Sequence, residues 1–237
     1  MSDSPDLKPD TAPPLPSSLR LITTLGVVAM LSGFLVVLVY EYTRPIIAEN
    51  QRIATERAIF KVLPQAFRRL TFVIENNQLK QLDDDSTTEG ELIYAGYDKN
   101  DQFVGMALPA AEQGYQDIVR LLYGYHPQTG CITGFDVLKS TETPGFGTKI
   151  STDEEFLNNF VCLEAQPDED SGLVHEIKTV RHGTKQNPWE IDAISGSTIT
   201  SNAVGRMFNK SGQKFHPMIA RHLDQLKTAK YHEKPTQ

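Results

Sequence analysis

Hydroxyl side chains are concentrated in one short segment, residues 192–201, with the sequence DAISGSTITS. Five of them fall within the seven positions 195–201. A helix is predicted to begin here, and the N-terminus of a helix presents backbone N–H groups and a positive dipole end that favour a phosphate or another anion. The alternative is a capped turn, because Ser and Thr cap helices and Gly-Ser pairs form turns. One cap needs only one hydroxyl, so the segment is a candidate anion site.

A second segment, residues 142–149 (ETPGFGTK), places two glycines around an aromatic residue at the predicted end of a strand. Gly145 and Gly147 flank Phe146 and follow Pro144, so the backbone can take unusual dihedral angles and approach a flat ligand closely. Taken alone, the segment is more typical of a tight surface turn.

Composition and the missing motifs exclude several classes of protein. The net charge of −7 and the absence of a Lys/Arg cluster argue against nucleic acid as a partner. The chain has no P-loop, nucleophile elbow, dinucleotide fingerprint or H-E-x-x-H, so no self-contained hydrolase or dehydrogenase site is predicted. The acidic residues 83–85 indicate a solvated loop rather than a metal site.

The two cysteines, Cys131 and Cys162, lack the spacing of a zinc or iron–sulfur site. We expect both to be buried small residues. Their spacing does not decide whether they form a disulfide.

The N-terminal part of the chain predicts a membrane anchor. Residues 1–20 are rich in Pro, Ser and Asp and are expected to be a disordered tail. Residues 21–40 carry no charge and are long enough to span a bilayer as a helix. A cleaved signal peptide and a buried core helix are the alternatives, disfavoured by the missing basic region and cleavage site and by the apolar character all round. Basic residues flank the span on both sides, so charge leaves the orientation open.

An amphipathic helix is predicted to follow the span over residues 41–64. Ile46, Ile53 and Phe60 recur every seven residues, and Pro64 closes the run. Packing on its own domain is favoured over a dedicated partner-binding role.

The remaining chain, residues 65–230, predicts one α+β domain, with a short tail at 231–237. Turn sequences separate several of the predicted strands and favour antiparallel hairpins. The strands are expected at 70–75, 92–97, 103–108, 118–125, 132–138 and 173–180. Helices are expected from a capping box at 151–155 through residue 163, and at 201–209 and 213–229.

The segments GYQDIVRLLYGYHPQTGCITGFDVLKSTETPGFGTKI and DAISGSTITSNAV together resemble the FMN-binding domain of the G subunit of Rnf-type electron-transport complexes. They resemble the C subunit of the sodium-translocating NADH:quinone reductase more loosely. The resemblance covers residues 94–209 and extends to the single N-terminal span. It implies a single-pass protein of the cell inner membrane whose soluble domain is periplasmic.

The resemblance also implies roles for individual residues. A separate flavin transferase would esterify the hydroxyl of Thr198 with the phosphate of FMN, making a phosphoprotein with covalent flavin. Asp192 would be the acidic residue that the transferase recognises. The turn that presents Thr198, and the loop that covers the flavin, would be formed by Ser195, Gly196, Ser197, Thr200, Glu142, Thr143, Gly145, Phe146 and Gly147.

Two residues depart from the family pattern. Ser197 stands where the family usually has alanine, which puts a second hydroxyl beside Thr198. Phe146 stands where leucine is usual and keeps an apolar contact.

The resulting hypothesis is an electron-relay protein that exchanges electrons with the other subunits of an ion-translocating membrane complex. The alternative is a membrane-tethered structural or ligand-binding module in which residues 192–201 are only a capped turn. A third possibility, another flavin-linked membrane reductase or regulator, differs only in its partners.

Overall fold

The computed structural model describes residues 18–75, 78–82, 91–145, 147–170 and 172–229. The tail at 231–237, residues 1–17 of the N-terminal tail, the acidic residues 83–85 and Phe146 therefore lie outside the described residues. The chain divides into two compact units, Met1–Asn50 and Gln51–Gln237.

The N-terminal unit consists, in its described part, of a helix that continues into the second unit. Helix α1 runs from Ser18 to Val62 without a break at Pro45. It is long and apolar enough to cross a membrane, and its most apolar window has 0% of its residues buried in the protein. The predicted span and the predicted amphipathic helix are thus parts of one continuous helix, which ends just before Pro64 as expected.

The second unit is built on a seven-stranded antiparallel sheet with the strand order β2-β1-β3-β4-β5-β6-β7. Its strands are β1 Arg68–Glu75, β2 Gln78–Leu82, β3 Leu92–Tyr97, β4 Phe103–Gln113, β5 Ile118–His126, β6 Cys131–Lys139 and β7 Leu163–Glu164. The first five predicted strands are confirmed, and the hairpin turns lie where Asp and Gly residues favour them. Strand β2 was not predicted because its sequence, QLKQL, is too polar to stand out.

Each face of the sheet is covered by a different helix. The longer core lies under α3 (Thr198–Arg221), which packs on β4 and is rich in buried Phe and Met side chains. The C-terminal end of α1 covers the other face, where Ala58, Ile59 and Val62 pack with Leu63, Ala107 and Leu122. An arrangement of helices on an antiparallel sheet confirms the predicted α+β fold class.

Several local predictions are wrong in detail. The strand expected at 173–180 is two short strands, β9 (Gly172–Leu173) and β10 (Lys178–Val180). They pair with β8 (Pro167–Asp168) and β11 (Glu190–Asp192) in separate two-stranded sheets. The sequence of a strand does not show which other strands it will pair with. A break between two short strands, such as the one between β9 and β10, therefore cannot be predicted from the sequence alone.

The helix predictions also need correction. Helix α2 spans only Glu154–Asn158, and Asp153 rather than Ser151 caps it by accepting the N–H of Phe156 at 2.9 Å. The two final helices have different boundaries from those predicted at 201–209 and 213–229. Helix α3 continues through Gly212 and Pro217, and a short α4 (Leu223–Thr228) follows. Apolar residues on both sides of Gly212 are buried in the core, and this packing outweighs the poor helix propensity of glycine.

The cysteines form a disulfide between Cys131, at the start of β6, and Cys162, just before β7. Cys162 is exposed, which corrects the expectation that both cysteines are buried, whereas their spacing had left the pairing open. The two cysteines are 31 positions apart, and the chain between them contains the whole 142–149 segment.

A polar network lies inside the core between α3 and the sheet. His216 is fully buried; its Nδ1 lies 2.9 Å from the carbonyl oxygen of Ala165, and its Nε2 lies 3.2 Å from the hydroxyl of Tyr123. Tyr125 stacks on the imidazole ring with the centroids 3.6 Å apart. Burial lowers the pKa of His216 to about 3, so this histidine is neutral at physiological pH.

Candidate functional site

The two segments singled out in the sequence meet at one cavity of about 500 Å³ at the N-terminus of α3. A volume of this order is typical of sites for small molecules and cofactors, which span roughly 300–1,000 Å³. The predicted site residues that line it are Glu142, Thr143, Gly147, Gly196, Ser197, Thr198 and Thr200. Segments that are distant in the chain are therefore brought together by α3 packing on the sheet.

The hydroxyl-rich segment forms a tight turn that leads directly into α3. The carbonyl of Ile194 accepts the N–H of Ser197 at 3.0 Å, and Gly196 has a φ of 78°, which glycine adopts without strain. The buried hydroxyl of Ser201 closes the turn by accepting the N–H of Ile194 and donating to the carbonyl of Ser197.

Thr198 is the first residue of α3 and is exposed at the cavity, whereas Thr200 and Ser201 are buried. The first hydrogen bond of the helix joins the N–H of Ser201 to the carbonyl of Ser197. The N–H groups of residues 198–200 precede this bond and so face the cavity end of the helix without intrahelical acceptors. The arrangement offers one accessible threonine hydroxyl beside a set of anion-binding N–H groups.

Glu142 lines the cavity but is almost fully buried, with 5% of the residue exposed. Its Oε1 accepts the N–H groups of Tyr115 and Gln116 at 2.8 and 3.1 Å. Its Oε2 accepts the hydroxyl of Thr200 at 2.7 Å. One side chain therefore joins the β4–β5 hairpin loop and the start of α3 to the 142–149 segment.

Two glycines give Glu142 its space. A Cβ atom at Gly114 would lie 2.5 Å from the Oε1 atom of Glu142, and one at Gly147 would lie 2.4 Å from its Oε2 atom. Gly145 is required for a different reason: it has a φ of 80°, but a Cβ atom there would meet open space. The glycines of the second segment thus serve backbone geometry at one position and side-chain packing at another.

Two apolar residues of the cavity were not predicted from the sequence. Tyr115 and Ile199 line it and are 66% and 53% exposed, so each offers an uncovered apolar surface. The amide of Gln116, next to Tyr115, donates to the hydroxyl of Thr143 at 2.9 Å. The run Gly114-Tyr115-Gln116 opens the longer of the two resembling segments, which was the available signal for a role of this loop.

Three predicted site residues do not line this cavity. Ser195 and Asp192 line a smaller neighbouring cavity of about 220 Å³, and Gly145 lines neither. Both carboxylate oxygens of Asp192 accept the N–H of Gly183, at 2.8 and 2.9 Å. The side chain of Asp192 is still 27% exposed. Phe146 lies outside the described residues.

The strand that carries Asp192 is held by a hydrogen-bonded cluster. The Oδ1 atom of Asn159 accepts a hydrogen bond from the backbone N–H of Asp192 at 3.0 Å and another from the ammonium group of Lys185 at 3.1 Å. Burial lowers the pKa of Lys185, and the nearby acids Asp192 and Glu190 oppose that shift. Hydrogen bonds from the N–H of Gln186 and from the Asn187 side chain lower the pKa of Glu190. These contacts fix the approach to the turn at 194–197.

Comparison with known proteins gives this site a family. The family model of the FMN-binding domain matches residues 114–212, and the model of the RnfG N-terminal region matches residues 17–62. The G subunit of the ion-translocating oxidoreductase complex of Methanosarcina acetivorans is 33% identical over 187 residues, which cover 78% of this chain and 87% of that protein. This chain belongs to the RnfG family, the G subunits of ion-translocating oxidoreductase complexes.

The resemblance stated from the sequence is thus confirmed. The G subunit of the Na(+)-translocating ferredoxin:NAD(+) oxidoreductase complex of Acetobacterium woodii is 36% identical over 124 residues, which cover 52% of this chain and 54% of that protein. As a member of the family, the chain is an electron-transfer subunit of an ion-translocating oxidoreductase complex with an FMN-binding domain.

A solved structure with the same fold is NqrC of Shewanella oneidensis. The two structures have a TM-score of 0.58 and 17% sequence identity, and the match covers 76% of this chain and 100% of that chain. The likeness supports the predicted fold, a long apolar N-terminal helix followed by an antiparallel sheet with packed helices.

The residues of the larger cavity fit FMN. The helix N-terminus and the exposed hydroxyl of Thr198 suit a phosphate, and the exposed apolar surfaces of Tyr115 and Ile199 suit a flat ring. The matched FMN-binding domain encloses every residue that lines the cavity. The carboxylate of Glu142 accepts hydrogen bonds from the chain itself, which reduces its repulsion of an anion.

Proposed function

We propose that this member of the RnfG family carries FMN as a phosphoester on Thr198 and relays electrons between the other subunits of its complex. The observation that carries the proposal is that Thr198, an exposed hydroxyl at the first position of α3, lies in the same cavity as the glycine-containing segment. A capped turn alone would not require a cavity, or a second segment folded over the helix start.

The attachment would be a phosphoryl transfer to the hydroxyl of Thr198. Its oxygen would bond to the phosphorus of the flavin nucleotide as the phosphoanhydride bond to a phosphate leaving group breaks, and the hydroxyl proton would pass to a base of the transferase. A separate flavin transferase supplies the activated FMN, since no activating base is in hydrogen-bond contact with Thr198 among the described residues. Asp192, partly exposed near the turn, is the acidic residue recognised by that enzyme.

The chain's own residues would hold and shield the cofactor. The N–H groups at the start of α3 hold the phosphate, and Tyr115 and Ile199 contact the ring. Bound flavin supplies one-electron and two-electron redox chemistry, which the protein tunes and positions. The protein therefore needs no catalytic residue of its own, and it acts with the other subunits as an oxidoreductase and translocase.

The soluble domain is proposed to lie on the periplasmic side of the inner membrane. The Cys131–Cys162 disulfide supports this placement, because disulfides form and persist in oxidising compartments and are rare in the cytosol. Cys162 is exposed, so a cytosolic domain would leave the bridge open to reduction. Helix α1 provides the single anchor that this placement requires.

Peptide mass mapping of the full chain, made in cells that also produce the transferase, tests the attachment. The fragment containing Thr198 is expected to be heavier by the mass of FMN less one water. If that mass lies on Ser197 instead, the motif is right and the residue is wrong. If no fragment carries it, covalent flavin is excluded, and the membrane-tethered module without covalent flavin becomes the better explanation.

A further inference from the structure

We infer that Glu142 is a positioning residue whose carboxylate clamps the flavin-attachment end of α3, and that its shape, rather than its negative charge, is what flavin attachment requires. This inference rests on the proposed attachment to Thr198. It assigns Glu142 an action through other residues rather than contact with the flavin.

Both oxygens of Glu142 are engaged by the chain itself. Oε1 accepts the N–H groups of Tyr115 and Gln116, and Oε2 accepts the Thr200 hydroxyl at 2.7 Å. The residue is 5% exposed, so these bonds are sheltered from water. Next to a proposed anion site, a carboxylate without such hydrogen bonds would be unfavourable, because its negative charge would repel the ligand.

The space around Glu142 is shaped for this one side chain. Its Oε1 would lie 2.5 Å from a Cβ at Gly114, and its own Cβ would lie 2.5 Å from one at Gly147. Glycine at both positions therefore allows the carboxylate to lie between the hairpin loop and the second segment. Gly114, Glu142 and Gly147 form one packing unit, although Gly114 belongs to a different segment of the chain.

Thr200 transmits the clamp to the attachment residue. It lies two residues after Thr198 in the first turn of α3, is 3% exposed, and has a buried hydroxyl bonded to Glu142. Residues in one helical turn keep a fixed backbone relation to each other, so holding Thr200 fixes the position from which the side chain of Thr198 projects. Attachment chemistry is sensitive to such orientation, because a displacement of about 1 Å can lower a rate roughly 100-fold.

Two substitutions separate shape from charge. Glu142→Gln keeps the length, so its Oε1 still accepts the two N–H groups while its Nε2 donates to the Thr200 oxygen after the hydroxyl rotates. Glu142→Asp keeps the charge but is one methylene shorter and cannot reach both partners. If shape matters, Glu142→Gln should attach flavin faster than Glu142→Asp. If the negative charge matters, Glu142→Asp should attach flavin faster.

A second matched pair of substitutions changes Thr200, the donor of the hydrogen bond to Glu142. Thr200→Val removes the hydroxyl and keeps the shape, whereas Thr200→Ser keeps the hydroxyl. This pair leaves Glu142 itself unchanged, so it tests the clamp even if Glu142→Asp fails to fold.

The experiment uses the full chain coexpressed with the transferase, and the initial rate of flavin attachment is measured from the fluorescence of denatured protein. Glu142→Gln and Thr200→Ser should attach flavin at close to the wild-type rate. Glu142→Asp and Thr200→Val should be slower by roughly tenfold or more. Loss of attachment in Glu142→Gln with retention in Glu142→Asp would overturn the inference, as would wild-type rates in all four variants.

A readout without flavin separates this inference from the proposed function. In the Thr198→Val background, hydrogen exchange of the peptide that contains Tyr115 and Gln116 should be fast with Glu142→Asp and slow with Glu142→Gln. Wild-type protein without flavin would disprove the proposed attachment, and the exchange result would still decide whether Glu142 holds the loop. Equal exchange in both variants would show that it does not.

Discussion

At the scale of single residues, the site depends on which hydroxyls the fold uses and which it leaves accessible. Ser201 closes the turn, and Thr200 is bonded to Glu142, so both have structural partners. Thr198 is exposed at the cavity. Ser197 is 6% exposed and occupies the N-cap position. This difference in exposure favours Thr198 over Ser197 as the attachment residue.

Thr198→Val should abolish covalent flavin and leave the fold almost unchanged. The substitution keeps the branched shape and removes the hydroxyl, and an exposed substitution of this kind usually changes the free energy of unfolding by less than about 0.5 kcal/mol. The measurement is flavin fluorescence of the denatured protein together with its Tm before denaturation. Ser197→Ala is the matched control and should retain flavin. Flavin retained by Thr198→Val but lost from Ser197→Ala would move the attachment to Ser197.

At the scale of elements, the 142–149 segment is more than a surface turn because it packs against two other elements. Glu142 accepts hydrogen bonds from the β4–β5 loop and from α3, and Gly147 lies against its side chain. The geometry of the cavity therefore depends on the hydrogen bonds and packing of a nearly buried side chain in its lining. In this segment, Gly145 provides a backbone conformation with positive φ, whereas Gly147 leaves space for the side chain of Glu142.

Gly147→Ala should disrupt the cavity more than Gly145→Ala does. A Cβ at Gly147 would lie 2.4 Å from the Glu142 carboxylate, so the carboxylate must move, and overpacking of this kind costs about 1–3 kcal/mol. At Gly145 a Cβ meets open space, so the cost is backbone strain at a φ of 80° without displacement of Glu142. Tm and flavin attachment yield are measured for both variants. Equal attachment in both would show that the position of Glu142 does not matter.

At the scale of the whole molecule, three features extend beyond the site. Helix α1 contains a segment that is long and apolar enough to cross a membrane, and the disulfide joins Cys131 to Cys162 in the sheet domain. Inside that domain, neutral His216 is part of a buried network between α3 and the sheet. The first two support the proposed location, and the third is expected to make the stability of the domain depend on pH.

A reporter enzyme that is active only outside the cytoplasm should be active when fused after Gln237. The expectation follows from α1, the one helix among the described residues that is long and apolar enough to cross a membrane, and from the disulfide of the sheet domain. The matched control places the same reporter before Ser18, on the opposite side of the helix, where it should be inactive. Activity of the control alone would reverse the proposed orientation.

The sheet domain should lose stability as the pH falls from 7 to 5. The pKa of His216 is about 3 in the folded protein and near 6.5 when unfolded, so the unfolded state takes up the proton first. The contribution of neutral His216 to the free energy of unfolding is therefore fully present above pH 6.5. It falls with acidification by up to about 1.4 kcal/mol for each pH unit. Burial lowers the pKa of His126 as well, which adds to the same slope.

The measurement is urea unfolding of the chain at pH 7, 6 and 5. His216→Gln can keep the bonds to Ala165 and Tyr123 without titrating, so its stability should change less over this range. His126→Gln is the control, and it should keep the larger part of the slope because His126 is less deeply buried. A wild-type slope in His216→Gln would show that this histidine is not the source.

The sequence by itself determined the properties that depend on neighbours in the chain. The uncharged run at 21–40 predicted an apolar helix, the spaced turns predicted the hairpins, and the two motifs identified the family and its cofactor class. Each of these signals is local or is carried by contiguous residues. Hydrophobic periodicity and turn chemistry act over a few residues, so they can be read without knowing the fold.

Only the tertiary structure decided which distant residues meet. Tyr115 and Ile199 line the cavity at the start of α3, whereas Asp192 lines a neighbouring cavity. Cys131 and Cys162 are joined by a disulfide. Glu142 is hydrogen-bonded to Thr200 across 58 positions, and α3 is continuous through Gly212. These outcomes depend on burial against the sheet and on hydrogen bonds between distant segments. Such terms outweigh local propensity, but they exist only once the chain has folded.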